Sequence, residues 1–106
     1  MNSTIKFAKK TLINNRRSNY TLPTNTKLYP AQWNWDSAFI ALGYSNFNLN
    51  YSFKEIETLI SGQWGDGMIP HILFHIKDLN YTPNYKAWNC GRKISSSGIT
   101  QPPILA

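Results

Sequence analysis

A single cysteine, Cys90, leaves this chain of 106 residues with no internal disulfide. An unpaired thiol of this kind fits a reducing compartment. No stretch approaches the roughly 20 consecutive apolar residues that span a bilayer. Ahead of Pro23 there is likewise no apolar core of the sort a secretory signal carries. A cytoplasmic location without a membrane partner is therefore expected. Acidic residues are also scarce, five in all and none before Asp36. There is no internal repeat, and the one low-complexity run is Ser95-Ser96-Ser97.

What is present argues against disorder. The chain is 42% hydrophobic and 14% aromatic, enough for a packed core of at most one domain. The formal charge is +6 and the pI about 9.6, with the excess concentrated at the start. Lys6, Lys9, Lys10, Arg16, Arg17 and Lys27 precede the first acid, while the remainder is balanced. A basic, acid-free start suits a transit peptide or a nucleic-acid arm. The plainer reading is a solvated helix face, because Ile5, Ala8 and Leu12 recur at helical spacing and form one packing stripe.

The spacing predicts a first helix over Thr4–Asn15. "NRRSNYTLPTNTKLYP" then reads as loop, with Pro23 and Pro30 hostile to helix interiors. "DSAFIALGY" opens a second helix, capped by Asp36 or Ser37. Its Phe39, Ile40, Ala41 and Leu42 leave no polar face, so it should be an inner helix covered on every side. A third helix is announced by the capping-box pattern Ser52-Phe53-Lys54-Glu55, with Phe53, Ile56, Leu59 and Ile60 as its buried stripe and Gly62 as its stop. "GDG" at 65–67 marks a turn formed by Asp66. "MIPHILFHI" reads as a short strand or, given Pro70, an extended loop. From Lys77 to Ser97 no element is evident, and loops of that length are functional or disordered. Pro102 and Pro103 suit the first turn of a further helix. An all-round apolar helix beside two short amphipathic ones is not self-contained, so a remainder supplied by another chain, or lost, is expected.

The richest cluster is "LYPAQWNWDSAFIALGYS", residues 28–45, where Trp33 and Trp35 stand directly before Asp36. A carboxylate accepts from two neighbouring hydroxyls, in the stronger, charge-assisted kind of hydrogen bond. Plainer roles exist for each residue: Asp36 as a helix cap, Trp33, Trp35, Trp64 and Trp88 as core, Gln101 as a loop residue before two prolines. His71 and His75 are four apart, but Pro70 argues against the helix that would make them a metal pair, and Cys90 reads as an ordinary thiol.

"YTLPTNTKLYPAQWNWDSAFIALGYS", "GQWGDGMIPHILFH" and "SSGITQPPILA" together resemble the N-terminal part of the mannosylglycerate and glucosylglycerate hydrolases, glycosidases related to the processing α-glucosidases of family 63. The likeness runs from about Ala8 to Ala106 with the blocks in family order. It implies an all-α fold, the N-terminal portion of an (α/α)6 toroid, incomplete here and carrying long active-site loops. Residues 1–106 would form the first part of the catalytic domain. The resemblance further implies that Asp36 accepts hydrogen bonds from the sugar, that Trp33 and Trp35 offer ring faces and that Tyr29 adds a phenol. Such a set suits a pyranose, whose apolar C–H face and hydroxyl rim take an aromatic wall and a few fixed polar groups. It places Gln101 at the same sugar and His71 toward the aglycone. No metal or other cofactor is implied. Inverting glycosidases use two carboxylates about 6.5–9.5 Å apart, and in this family both lie beyond the block matched by "GITQPP". Of the remaining acids here, Glu55 is expected at a cap, Glu57 in solvent and Asp78 in the long loop.

The expectation is thus a glycosidase fragment with sugar-binding residues and no catalysts, inactive and prone to aggregate alone, its partners a small glycoside and a second chain carrying the rest of the toroid. A small non-catalytic carbohydrate-binding protein is the alternative. A nucleic-acid binder is disfavoured, because only Phe7 and Tyr20 interleave with the six early cations and stacking platforms need more aromatics than that.

Overall fold

A computed structural model of the chain describes residues 2–24 and 27–106. The order is α1 (Ser3–Asn15), β1 (Arg16–Arg17), β2 (Tyr20–Thr21), β3 (Gln32–Trp33), α2 (Asn34–Tyr44), α3 (Leu49–Ile60), β4 (Ile72–Leu73) and α4 (Tyr85–Trp88). The architecture is helix-rich with a few two-residue strands. Among the described residues no helix is long and apolar enough to cross a membrane.

α1 is capped by Asn2, whose side chain accepts from the Thr4 N–H at 2.7 Å. The expected packing stripe is reduced to one contact. Ile5 and Ala8 are exposed, and Leu12 alone is half-buried, against Gly43 of α2. Two cations of the basic start turn back onto the fold. Lys9 lies 5.1 Å from the Phe47 ring centroid and Arg16 3.8 Å from that of Tyr51. The segment read as plain loop holds the hairpin β1–β2, which buries Tyr20, Thr21 and Leu22. Its positions 25 and 26 lie outside the described residues.

α2 and α3 pack on each other, and both differ from expectation in which face they bury. α2 starts two residues early, with Trp33 at the cap position and Asp36 inside the first turn; neither Asp36 nor Ser37 caps it. Its buried line is Asn34, Ser37, Ala41 and Tyr44, while Phe39 and Leu42 are 55% and 66% exposed. The all-round covering expected of an inner helix is therefore absent among the described residues. α3 starts at Leu49 under the Asn48 side chain, which accepts from the Tyr51 N–H at 3.1 Å. The capping box does not form. Ser52 sits inside the helix and donates to the Ala41 carbonyl at 2.7 Å, tying α3 to α2, and Glu55 is fully buried. Ser52, Glu55 and Leu59 form the inner line, and the expected Phe53 and Ile60 face out. The cause is a set of buried polar contacts that fixes the rotation of α3 more stringently than its apolar residues do.

β3 pairs antiparallel with β4, Gln32 opposite Leu73 and Trp33 opposite Ile72. Residues 95–99 run along the other side of β4: the Ser97 N–H donates to the Ile72 carbonyl, and the Phe74 and His71 N–H groups donate to Ser95 and Ile99. This explains why Ser96 and Ser97 are fully buried. Ala31, Trp33, Ile72 and Phe74 make the small apolar centre, with Tyr81, Tyr85 and Trp88 against it. The stretch expected to lack elements contains α4. Asn84 caps it by accepting from the Lys86 and Ala87 N–H groups, and Asn89 ends it in the left-handed region at φ 49°. After Pro102 the chain forms a turn at Ile104–Leu105, with no helix.

Candidate functional site

The six residues singled out in the sequence gather at the N-terminal end of α2. β3 leads straight into this helix, so Trp33, Trp35 and Asp36 follow from the register of the β3–β4 pair. The Asn34 N–H donates to the His71 carbonyl at 2.9 Å, and the Asn34 side-chain amide donates to the carbonyls of Ile69 and Pro70. These bonds bring the His71 segment against the start of the helix. Gln101 comes from 66 positions away. Its Oε1 accepts from the Trp35 N–H at 2.8 Å and so satisfies one of the open donors of the first turn. Its amide nitrogen remains the group that can donate outward.

The aromatic residues are not equivalent. Trp33 is 7% exposed, and its ring meets the edges of Tyr29 and Tyr81 at centroid distances of 5.4 and 5.3 Å in T-shaped geometry. Trp35 and Tyr29 are 42% and 45% exposed, so these two present open surface while Trp33 backs them. Asp36 is half-buried. Burial pushes its carboxyl above the usual carboxylate range, and hydrogen bonds from its own backbone N–H and from the Trp35 side chain pull it partly back. His71 is half-buried, its Nδ1 hydrogen-bonded to the Ser97 hydroxyl and its ring edge-on to Trp88 at 5.8 Å. Burial lowers its pKa, the Ile99 carbonyl opposing in part. A half-buried carboxylate, an exposed indole, a phenol, an amide and an imidazole at one helix end offer donors and acceptors of the kind that suit hydroxyl groups.

The other candidates take the plain roles. The Asp66 carboxylate accepts from the Met68 N–H at 3.0 Å, a turn closed by its own side chain. Asp78 does the same for the Asn80 N–H at 2.8 Å. Glu57 pairs with Lys54 at 3.2 Å on the surface, and the Cys90 thiol donates to the Trp88 carbonyl. Among the described residues no group of three or more His, Cys, Asp or Glu could hold a metal ion. A cavity of about 620 Å³ lies between residues 61–66 and 91–94, and none of the six residues lines it.

Sequence reasoning missed the polar layer beneath the site. Glu55 Oε2 accepts from the Ser37 hydroxyl at 2.6 Å, from the Gln32 amide at 3.2 Å and from the Thr21 N–H at 3.3 Å. The Gln32 Oε1 in turn accepts from His75 Nε2 at 2.8 Å, and the His75 ring lies against Tyr20 at 4.2 Å. Burial pushes the Glu55 carboxyl up and the His75 imidazole down to about 4. The available signal was the spacing Ser52, Glu55, Leu59, three and four residues apart on one helical face.

Comparisons with known proteins place the chain in a family. The family described as the mannosylglycerate hydrolase MGH1-like glycoside hydrolase domain matches residues 29–106. Mannosylglycerate hydrolase MGH2 of Selaginella moellendorffii is 42% identical over 103 residues, covering 96% of this chain and 21% of the relative. The glucosylglycerate hydrolase of Mycolicibacterium hassiacum is 42% identical over 86 residues, covering 74% and 19%. The crystal structure of the family 63 mannosylglycerate hydrolase of Thermus thermophilus in complex with Tris and D-glycerate superimposes with a TM-score of 0.84 at 44% identity, over 92% of this chain and 23% of that one. The chain thus matches the N-terminal region of that fold and spans about a fifth to a quarter of these relatives.

Proposed function

Because the chain belongs to the mannosylglycerate hydrolase MGH1-like glycoside hydrolase family, we propose that it is the sugar-gripping N-terminal part of such a hydrolase, acting on a short α-glycoside such as mannosylglycerate or glucosylglycerate. The observation that carries this reading is the convergence of Trp35, Asp36 and Gln101 at one helix end, across 66 residues of sequence. Asp36 accepts from two sugar hydroxyls, Trp35 covers the apolar face of the ring, and Trp33 holds Tyr29 upright beside it. The Gln101 amide donates to the same sugar, and His71 faces the aglycone. Each role uses a group whose exposure or free hydrogen-bonding capacity suits it.

Hydrolysis by inversion takes an acid and a base flanking the glycosidic bond. The five acids of this chain are otherwise engaged: Asp36 in the grip, Glu55 in the buried layer, Glu57 with Lys54, and Asp66 and Asp78 in turns. In this reading the catalytic carboxylates come from the rest of an (α/α)6 toroid, of which residues 1–106 are the first part. Phe39 and Leu42 of α2, with Phe53 and Ile60 of α3, are the apolar surface such a remainder covers. No cofactor is invoked.

The test is an NMR titration of the ¹⁵N-labelled chain with each glycoside. Saturable shifts at the Trp35 indole and the Asp36 amide, lost in Asp36→Ala and with no hydrolysis, are expected. Adding the C-terminal three-quarters of a related hydrolase should then yield hydrolysis. Binding that persists in Asp36→Ala would overturn the grip. Binding that is never joined by hydrolysis would favour a non-catalytic carbohydrate-binding protein.

A further inference from the structure

We propose that Glu55 is a positioning residue for the sugar grip, its buried carboxylate fixing the direction in which Trp33, Trp35 and Asp36 face. The proposal rests on the reading of that segment as a sugar site, and it adds a residue that touches no sugar.

The argument starts from where the partners of Glu55 lie in sequence. Gln32 immediately precedes Trp33, and Ser37 immediately follows Asp36. One oxygen, Glu55 Oε2, accepts from both side chains, at 3.2 and 2.6 Å. The four residues between them are therefore clamped at both ends by the same atom. The Gln32 amide also reaches the Ser37 hydroxyl at 3.0 Å and the Glu55 carbonyl at 3.2 Å, which closes the clamp into a ring. His75 Nε2 donates to Gln32 Oε1 and thereby sets which end of that amide faces Glu55. From the other side, the His71 carbonyl holds the Asn34 N–H and Gln101 holds the Trp35 N–H.

A carboxylate is an unfavourable choice for packing alone. Glu55 is 1% exposed, and the only ion pair among the described residues is Lys54–Glu57 on the surface. A buried charge without a counter-ion carries a desolvation penalty that no ion pair offsets, and a leucine would fill an inner helical position without that cost. What leucine lacks is an acceptor for several donors at fixed directions. Ser37 is also fully buried, so its hydroxyl has no solvent to fall back on. A grip held within a few tenths of an ångström needs such support from behind, since small displacements of a binding group lose much of its affinity.

The experiment uses the ¹⁵N-labelled 106-residue chain in four forms: wild type, Glu55→Gln, Ser37→Ala and, as a packing control whose side chain makes none of the clamp's hydrogen bonds, Leu59→Ala. Each is titrated with mannosylglycerate and glucosylglycerate, and its stability is measured in urea. Glu55→Gln and Ser37→Ala are expected to weaken binding about tenfold and to move the indole N–H resonances of Trp33 and Trp35 and the amides of 33–36 before any ligand is added. Leu59→Ala, although it lowers stability at least as much, should keep affinity within about twofold of wild type. Wild-type affinity in Glu55→Gln, or an equal loss in Leu59→Ala, would overturn the proposal. If the Glu55 variant does not fold, Ser37→Ala decides. If the wild type binds neither glycoside, the sugar reading fails separately, and positioning stands or falls on the free-state resonances: moved in the two clamp variants, it holds; unmoved, it is wrong.

Discussion

Protonating His75 should weaken the fold, by an amount the structure lets one work out. The imidazole is half-buried against Tyr20, and its Nε2–H is committed to Gln32 Oε1. Desolvation lowers its pKa from 6.5 to about 4. A depressed histidine pKa means that the unfolded chain takes up the proton first. Stability is then full above about pH 6.5 and lost as pH falls toward 4. By linkage the loss is about 2 kcal/mol at pH 5 and about 3 kcal/mol at pH 4. Glu55 and Asp36 act in the opposite sense. Their folded-state values are raised, so their ionisation is disfavoured in the folded chain, and stability is gained as pH falls through those values. The His75 contribution must therefore be isolated by difference. His75→Gln retains an N–H donor for Gln32 and does not titrate. Urea unfolding of both proteins at low micromolar concentration between pH 7.5 and 4 should show wild type losing about 3 kcal/mol more than the variant. The His75 ring-proton shift, followed by NMR, should titrate near 4. Parallel stability profiles, or a midpoint near 6.5, would refute the desolvated, neutral imidazole.

Three further outcomes are expected. Gly62 has no room for a side chain, since a methyl there would stand 2.7 Å from Leu73 Cδ1; Gly62→Ala should cost about 1–3 kcal/mol in urea unfolding. Gln101→Ala removes the long-range cap of α2 and should cost about 1 kcal/mol, while Gln101→Glu, which keeps the acceptor, should cost less; equal losses would mean that the cap contributes nothing. The exposed Phe39 and Leu42 should drive self-association of the isolated chain. Sedimentation velocity should show concentration-dependent larger species, which Phe39→Ser with Leu42→Ser reduces.

The pattern of success from sequence has a physical logic. Helices α1 to α3 were legible because their apolar residues recur within a turn or two of each other, although the caps expected at Asp36 or Ser37 and at Ser52 do not form. The Trp33–Asp36 cluster was legible because aromatics beside a carboxylate are rare in a chain with five acids. Which face α3 turns inward was not. Its apolar residues point one way, and the contacts that decide the matter, Glu55 with Ser37, Gln32 and Thr21, come from 18 to 34 positions away. The capping box at Ser52 was a sound local rule overridden by an equally good cap at Asn48 and by the pull of Ala41 on the Ser52 hydroxyl. α4 was missed because four residues carry no period, although Asn84 and Asn89 bracket it.

The cap supplied by Gln101 also has a consequence in time. A ribosome delivers this chain from the N-terminus, and the partners of the Glu55 clamp are all made by the time residue 55 emerges, except His75. The His71 carbonyl that receives the Asn34 N–H comes next. The acceptor for the Trp35 N–H comes some 66 residues after its donor. The binding end of α2 is thus assembled in order, from the buried side outward, and its outermost hydrogen bond is the last to be synthesised. A nascent chain arrested before Gln101 would hold the clamp closed while the first turn above it still exchanged its Trp35 amide with water.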